Sequence, residues 1–313
     1  MTESAPPGKH RAEGPDKGAR DQLRASPAEA PLQSPASTSG MLEVFRRRYL
    51  LRLLVRREIS ARYQGSVLGM IWSYVNPLSQ FLIYWLVIGV IMGLDRNTEN
   101  FPIHIFTGLV IVHFFNETAN AGTRSIVRNK GLVQKMAVPR EMFPVASMLV
   151  SAFHIGPQLA VLTIACLLYG WSPDPIGMAA AGLGLLITMV AGTAVALLLS
   201  AANVFLRDIS NAVAIMSNVV RFGVPMIYPY TLVQDRFGQA AQYYLWNPLA
   251  DAVLLMQQGF WVGTTEDPTA TSLEHLPPGL FEKGFIALGV CLLVLVIGQF
   301  VFTRLENKIP ERL

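Results

Sequence analysis

The sequence predicts an all-α integral membrane protein with six transmembrane helices. Of its 313 residues, 52% are apolar and 15% are charged, whereas soluble domains carry about 25% charged residues. The mean hydropathy is +0.39. A backbone that faces lipid must satisfy its own hydrogen bonds, so the apolar runs are predicted to be helices. This composition excludes a soluble enzyme, a disordered scaffold and a nucleic-acid-binding module, although the pI is near 9.1.

Six runs are long and apolar enough to cross a hydrocarbon core, which takes about 20 helical residues. Three of them contain no Asp, Glu, Lys or Arg, the last contains none before Arg304 at its end, and the other two are each interrupted by one charge, Glu117 or Arg221. The predicted spans are residues 68–94, 102–123, 143–169, 176–203, 211–232 and 284–304.

The distribution of Lys and Arg predicts the orientation, because these residues concentrate in cytoplasmic connections. Sixteen lie on one predicted side, in segments 41–66, 124–140 and 304–313 and at Arg207. The opposite side has three, namely Arg96, Arg236 and Lys283. We therefore expect a multi-pass protein of the plasma (inner) membrane with both termini in the cytoplasm.

Residues 1–40 differ in composition from the rest of the chain. They contain six Pro and no apolar stretch, whereas a signal peptide needs an apolar core of about 7–15 residues. We predict a disordered cytoplasmic tail over 1–40 and a transmembrane domain over 41–313.

Segment 44–62 is predicted to form a basic helix at the membrane interface. At about 100° per residue its arginines spread around the axis instead of forming one stripe. This pattern favours a helix between lipid headgroups and a cytoplasmic protein. The alternative is that long Arg side chains extend to lipid phosphates.

The loop 124–140 mixes basic and apolar residues. Apolar positions 126, 133 and 136 fit one short helical face, and Pro139 ends the element. This content favours docking of a cytoplasmic partner, the alternative being an ordinary positively charged loop. The candidate docking residues are Arg124, Ile126, Val127, Arg128, Leu132, Val133 and Lys135.

The outer region 235–283 is too long for a simple connection. Its uncharged apolar segment 252–265 is too short to span a membrane. We predict re-entrant half-helices before the last span, with an aromatic interface belt as the alternative.

One predicted span has small residues at every fourth position. Such a row allows close helix packing. Its members are Ala180, Gly184, Thr188, Gly192, Ala196 and Ser200.

Polar and aromatic residues in the spans suggest a passage. Arg221 would face an anionic substrate, pair with Glu117 or extend to a membrane surface. Aromatic rings suit sugar faces, although rings in spans also pack against lipid or in the core. His154 is interpreted as an isolated core histidine. The candidate passage residues are Trp72, Tyr74, Phe81, Tyr84, Trp85, Phe114, Arg221, Phe222 and Tyr228.

Motifs for catalysis and nucleotide binding are missing from the sequence. It has no GxxxxGK[ST] phosphate loop, and no HExxH, GxSxG or Cys/His cluster. We therefore expect no catalysis, no metal site and no cofactor on this chain.

Several motifs, in order, resemble a known family. They are RYQGSVLGMIWSYVNP at 62–77, AVPREMFPVAS at 137–147, RDI at 207–209, PMIYP at 225–229 and NP at 247–248. Over about 44–310 the chain resembles the permease subunit of ABC exporters of lipid-linked polysaccharides, such as O-antigen, teichoic acid and especially mycobacterial galactan.

The resemblance implies a homodimer of this chain with two copies of a cytoplasmic ATPase subunit, which would bind ATP and magnesium. The loop 124–140 would couple to that ATPase. The cargo would be a polyprenyl-diphosphate-linked glycan for the cell wall. The outer gate would include Tyr243, Tyr244, Trp246, Asn247, Phe260 and Trp261. The alternatives are an ABC exporter of drugs or lipids, and a polyprenyl-dependent membrane glycosyltransferase or phosphatase.

Overall fold

The computed structural model describes residues 40–65, 68–96, 98–135, 138–306 and 308–312. Regular structure in these ranges is helical throughout, without a β-strand. The predicted tail up to residue 39 and Met136 of the predicted docking face lie outside the described residues.

The helices of the described ranges are numbered in chain order. They are α1 (Gly40–Arg46), α2 (Arg48–Tyr63), α3 (Trp72–Tyr84), α4 (Phe101–Arg128), α5 (Lys130–Lys135), α6 (Met142–Leu168), α7 (Pro175–Phe205), α8 (Ile209–Phe222), α9 (Tyr230–Phe237), α10 (Ala241–Tyr244), α11 (Pro248–Phe260), α12 (Pro268–His275), α13 (Leu280–Glu306) and α14 (Ile309–Arg312). A tight turn, Gly69–Ile71, leads into α3, and a wider helical stretch, Trp85–Ile91, continues it.

Within the described residues, four helical stretches are long and apolar enough to cross a membrane. They are Gly69–Ile91, Met142–Leu168, Pro175–Phe205 and Leu280–Glu306. Of the other two predicted spans, α4 has 28 residues but is less apolar, and α8 is apolar but has only 14 residues. Several membrane-length helices are therefore present, and the count of six stays a prediction.

Helix α4 occupies the centre of the fold. It packs against α6, α7, α8 and α11, and most of its side chains are buried, including the polar Thr107, Asn116, Thr118 and Thr123. Because these polar groups face protein instead of lipid, α4 needs less apolar character than an outer helix. By contrast, α3 and α13 present large apolar side chains on the surface, as lipid-facing helices do.

The small-residue row on α7 packs as the sequence predicts. All six of its residues are buried. A Cβ atom added at Gly184 would lie 2.7 Å from the carbonyl oxygen of Ala252 on α11, and one at Gly192 would lie 3.0 Å from Cγ2 of Thr118 on α4. The prediction of close helix approach is therefore confirmed.

The segment predicted as span 211–232 is not one continuous helix. Helix α8 ends at Phe222 and α9 begins at Tyr230, with an irregular connection between them. Pro225 and Pro229 lie in this connection. Because proline lacks an amide hydrogen and clashes with the preceding helical turn, a helix does not run through both positions.

Helix α11 is an apolar helix inside the outer region. Eleven of its 13 residues are buried in its packing against α4, α7 and α13. The side chain of Asn247 caps it by accepting a 3.1 Å hydrogen bond from the amide of Leu249, and Pro248 occupies its first position. At about 1.5 Å per residue the helix is too short to cross a bilayer, so the re-entrant arrangement remains a prediction.

Two glycines of α7 provide a test of this packing. We expect Gly184→Leu to destabilise the protein by roughly 1–3 kcal/mol, because overpacking forces α7 away from α11. Gly182→Leu on the same helix is the control, since a Cβ atom there has no neighbour within 4 Å. Thermal unfolding in detergent compares the two variants. Equal unfolding temperatures would contradict the close contact of α7 with α11.

Candidate functional site

A buried polar cluster joins α2, α4 and α6. It consists of Arg62, His113, Glu117, His154 and Gln158. His113 and Glu117 are four residues apart on α4, and His154 and Gln158 are four apart on α6, so each pair shares one helical face. Arg62 lies in the last turn of α2. The cluster therefore ties the predicted interfacial helix to two core helices.

The contacts within the polar cluster are specific. Nδ1 of His154 donates to Oε1 of Glu117 at 2.7 Å, and Nη1 of Arg62 donates to the same oxygen. Nη1 of Arg62 also lies 3.0 Å from Nδ1 of His154. Nε2 of Gln158 donates to Nδ1 of His113 at 2.7 Å. These contacts satisfy a carboxylate that would be costly to bury alone.

The ion pair of Arg62 and Glu117 lies between two cavities. One has a volume of about 230 Å³ and is also lined by Trp72 and Asn76. The other has a volume of about 270 Å³ and is also lined by Ser147. Arg62 and Glu117 line both cavities. The side chain of Glu117 is 9% exposed and that of Arg62 is 49% exposed, so the arginine is the partner with room to move.

The sequence did not reveal this cluster. His154 is buried as expected, but it contacts Glu117 and Arg62 and is not isolated. Glu117 pairs with Arg62 and not with Arg221. The four-residue spacing of His154 and Gln158, matching that of His113 and Glu117, was the available signal.

The predicted docking residues divide between two helices. Those in 124–128 form the last turns of α4, and those in 132–135 belong to α5. Ile126 and Val133 are buried against α2 and the start of α6. The residues that remain exposed are Arg124, Val127, Arg128 and Lys135.

A second polar contact fixes α2 to the junction of α4 and α5. Nη2 of Arg128 lies 2.6 Å from Oε2 of Glu58. The side-chain amide of Asn129 donates to the other carboxylate oxygen of Glu58 at 3.0 Å, and Arg57 donates to the amide oxygen of Asn129 at 3.4 Å. We call these four residues the Glu58 clamp. The Glu58 clamp therefore joins the predicted interfacial helix to the predicted docking element.

The predicted passage residues are not gathered at one surface. Phe81 stacks on Trp85 with ring centroids 6.4 Å apart, while Tyr74 and Tyr84 are half-buried. Phe114 is 4% exposed and belongs to the core. Trp72 lines the cavity of about 230 Å³.

The remaining passage residues lie near the end of α8. Phe222 is exposed. Arg221 is half-buried, and its Nε atom has no partner in the part of the chain that the structure describes. Tyr228 donates to the carbonyl oxygen of Phe222 at 2.8 Å and meets the hydroxyl of Tyr244 at 3.2 Å. One predicted passage residue therefore contacts a predicted gate residue.

The predicted gate residues fall into an exposed group and a buried group. Tyr243 and Trp246 are exposed and pack edge to face at 5.2 Å. Phe260 and Trp261 are buried, and Nε1 of Trp261 donates to the carbonyl oxygen of Glu99 at 2.7 Å. Asn247 caps α11. Burial raises the pKa of the Tyr244 hydroxyl, which therefore stays uncharged.

The fold defines a helical protein with several membrane-length segments. No group of three or more His, Cys, Asp or Glu side chains in the described ranges is arranged to hold a metal ion. Residues 49–261 match the family model described as "ABC-2 type transporter". This match covers more than half of the chain, which therefore belongs to the ABC-2 type transporter family.

Two similar relatives carry the same descriptive name. The chain is 28% identical over 225 residues to the O-antigen export system permease protein RfbA of Myxococcus xanthus, covering 70% of this chain and 83% of that protein. It is 23% identical over 262 residues to an O-antigen export system permease protein RfbA of Klebsiella pneumoniae, covering 84% of this chain and 94% of that protein.

A double-mutant cycle tests the ion pair of the polar cluster. We expect Arg62→Met and Glu117→Gln each to lower the free energy of unfolding. The double variant should lose less than the sum, with a coupling energy of about 1–3 kcal/mol, because each single change leaves the other partner uncompensated. Titration with a denaturing detergent measures these free energies.

The control cycle combines Arg207→Met with Glu274→Gln. Both residues are exposed, and within the described ranges they do not contact each other. Its effects should add to within about 0.5 kcal/mol. The same additivity for Arg62 and Glu117 would contradict the ion pair.

Proposed function

We propose that this chain is the permease subunit of an ATP-driven exporter of polysaccharide. The cargo would be a polyprenyl-diphosphate-linked glycan, with a cell-wall galactan as the favoured candidate, moved from the cytoplasm across the inner membrane. The observation that carries the proposal is the family match over 49–261, together with long alignments to two O-antigen export permeases. The motif order described above supports the same assignment.

We place two copies of this chain with two cytoplasmic ATPase subunits, which bind the ATP and magnesium. In this arrangement both termini lie in the cytoplasm. The exposed residues Arg124, Val127 and Lys135 would meet the ATPase. A neighbouring apolar groove of about 160 Å³ between α2 and α5, which includes Leu53 and Leu132, offers further contact area.

The Glu58 clamp suggests how motion at the docking element reaches the membrane domain. Movement of the junction between α4 and α5 would carry α2 along, since Arg128 and Asn129 both hold Glu58. One turn further along α2, Arg62 holds Glu117. ATP-driven closure of the ATPase subunits would thus shift the last turns of α2 as one unit.

The polar cluster has chemistry suited to the diphosphate of the cargo. Glu117 lies six residues before the cytoplasmic end of the predicted span 102–123, about 9 Å along the helix, so a lipid-linked headgroup would pass it soon after entering from the cytoplasm. Arg62 is half exposed and could exchange Glu117 for a phosphate oxygen, a bidentate partner for guanidinium. His154 would continue to satisfy the carboxylate of Glu117.

The glycan would pass two separate aromatic positions that face away from the core, Trp72 on α3 and Phe222 on α8, with Arg221 beside Phe222. A second copy of the chain would enclose the passage. Aromatic faces pack against the C–H faces of sugars while the hydroxyl groups remain hydrated. The outer aromatic residues Tyr243 and Trp246 would meet the glycan last.

Reconstitution tests the proposed activity. In inside-out vesicles that contain this chain and its ATPase, we expect ATP to move polyprenyl-diphosphate-linked galactan into the lumen, where added glycosidase does not reach it. Vesicles without this chain, or with a non-hydrolysable nucleotide, are the controls. Unchanged accessibility of the glycan, with ATP hydrolysis stimulated by drugs, would favour a drug exporter instead. Glycan modification without any ATPase would favour a membrane enzyme.

A charge exchange tests the Glu58 clamp. We expect Glu58→Arg to reduce ATP-dependent transport at least about fivefold, a typical coupling effect between sites, because it sets two arginines against each other. The double variant Glu58→Arg with Arg128→Glu should recover most activity. The side chain of Asn129 can hydrogen-bond to residue 58 in either arrangement of charges, because its amide group both donates and accepts hydrogen bonds.

The matched control for that exchange is Glu58→Arg with Arg207→Glu. It has the same net charge as the rescuing variant, but Arg207 is an exposed residue outside both the Glu58 clamp and the proposed docking residues. This control should stay impaired. Rescue by Arg207→Glu as well would show that only net charge matters, and would contradict the clamp.

A further inference from the structure

A cavity of about 790 Å³ lies between the outer helices and the first turns of α13. Its volume is within the range of small-molecule sites, about 300–1,000 Å³. Its polar lining residues include Asp251, Gln242 and Lys283, and its apolar lining residues include Ile286 and Val290. It is separate from the polar cluster and the Glu58 clamp, which share no residue with it.

The carboxylate of Asp251 lacks the partners that a buried acid requires. Asp251 is 2% exposed, and its Oδ1 atom has no hydrogen-bond partner among the described residues. Burial raises its pKa to about 7, and the nearby positive charge of Lys283 opposes this shift. No ion pair joins these two side chains in the described chain. A buried acid without a hydrogen-bond partner is costly, and a cationic donor supplied by a ligand would stabilise its ionised form.

The face of α13 that lines the cavity changes from polar to apolar along the helix. Lys283, Ile286 and Val290 lie at spacings of three and four residues and so share one face of the helix. Ile286 is 61% exposed and Val290 is 48% exposed. After Lys283, α13 has no charged residue until Arg304. The cavity therefore lies at the edge of the apolar stretch of a membrane-length helix.

We propose that this cavity binds a phospholipid whose headgroup carries a primary ammonium. The ammonium donates to Asp251, the phosphate accepts from Lys283, and the adjoining chains lie along Ile286 and Val290. The two protein charges match the two charges of such a zwitterion. A free glycan matches the site less well, because it has no use for the apolar wall.

Lipid competition tests the site. The purified full-length chain is equilibrated with equal amounts of phosphatidylethanolamine and phosphatidylcholine of identical acyl chains, and retained lipid is measured by native mass spectrometry. We expect about a tenfold preference for phosphatidylethanolamine, equivalent to about 1.4 kcal/mol, because a choline headgroup has no N–H to donate to Asp251. Equal retention of the two lipids would overturn the proposal.

Three variants separate the contribution of the ammonium contact from that of the phosphate contact. Asp251→Asn should abolish the preference, and Lys283→Gln should reduce retention of both lipids, because both carry the phosphate. Glu266→Gln removes an exposed outer carboxylate and should change neither. A preference that survives Asp251→Asn would overturn the assignment, as would loss of the preference in Glu266→Gln.

A disulfide crosslink tests whether a second copy of the chain, instead of a lipid, occupies the cavity. A Val290→Cys variant that forms an intermolecular disulfide in the native membrane would show that another protomer covers the cavity, and would overturn lipid binding there. A monomeric band together with the expected lipid preference supports it.

Discussion

Polar side chains inside a membrane protein must be enclosed by protein, and this constraint organises the whole structure. Helix α4 carries buried threonines, Asn116, Glu117 and two histidines along its length. Exposure of these groups to hydrocarbon would cost several kcal/mol each. Helices α6, α7, α8 and α11 surround α4. The apolar α3 and α13 are left on the outside, where their exposed Leu, Ile and Val side chains suit lipid.

Close packing around α4 in turn depends on small residues. Gly122 of α4 would place a Cβ atom 2.3 Å from that of Ala196 on α7, and Gly259 of α11 would place one 2.5 Å from the carbonyl oxygen of Gly177. Backbones that approach so closely cannot accommodate larger side chains. The polar cluster forms at a different contact, that of α6 with α4, where His154 and Gln158 hydrogen-bond to Glu117 and His113.

The sequence predicts the helices well where their pattern is local. Helices Met142–Leu168 and Pro175–Phe205 begin and end within a few residues of the predicted segments, because uninterrupted apolar runs need no tertiary information. In the sequence, only prolines indicate the break after Phe222. Whether a proline ends a helix depends on the path that the chain takes in the folded protein. The cluster of Arg62, Glu117 and His154 joins residues far apart in sequence. Periodicity assigns each residue to a face of its own helix, but it does not tell which faces meet.

The candidate sites differ in how strongly the surrounding structure holds them. The side chain of Glu117 is 9% exposed and is also held by Nδ1 of His154, so the carboxylate is the enclosed partner and Arg62 is the one that reaches solvent. Glu58 has a similar role, since it is 14% exposed while Arg128 is 51% exposed. In both contacts a buried acid holds a basic side chain that reaches solvent. Loss of either basic partner would leave a poorly exposed carboxylate with fewer compensating contacts, so the two ion pairs together tie α2 to α4.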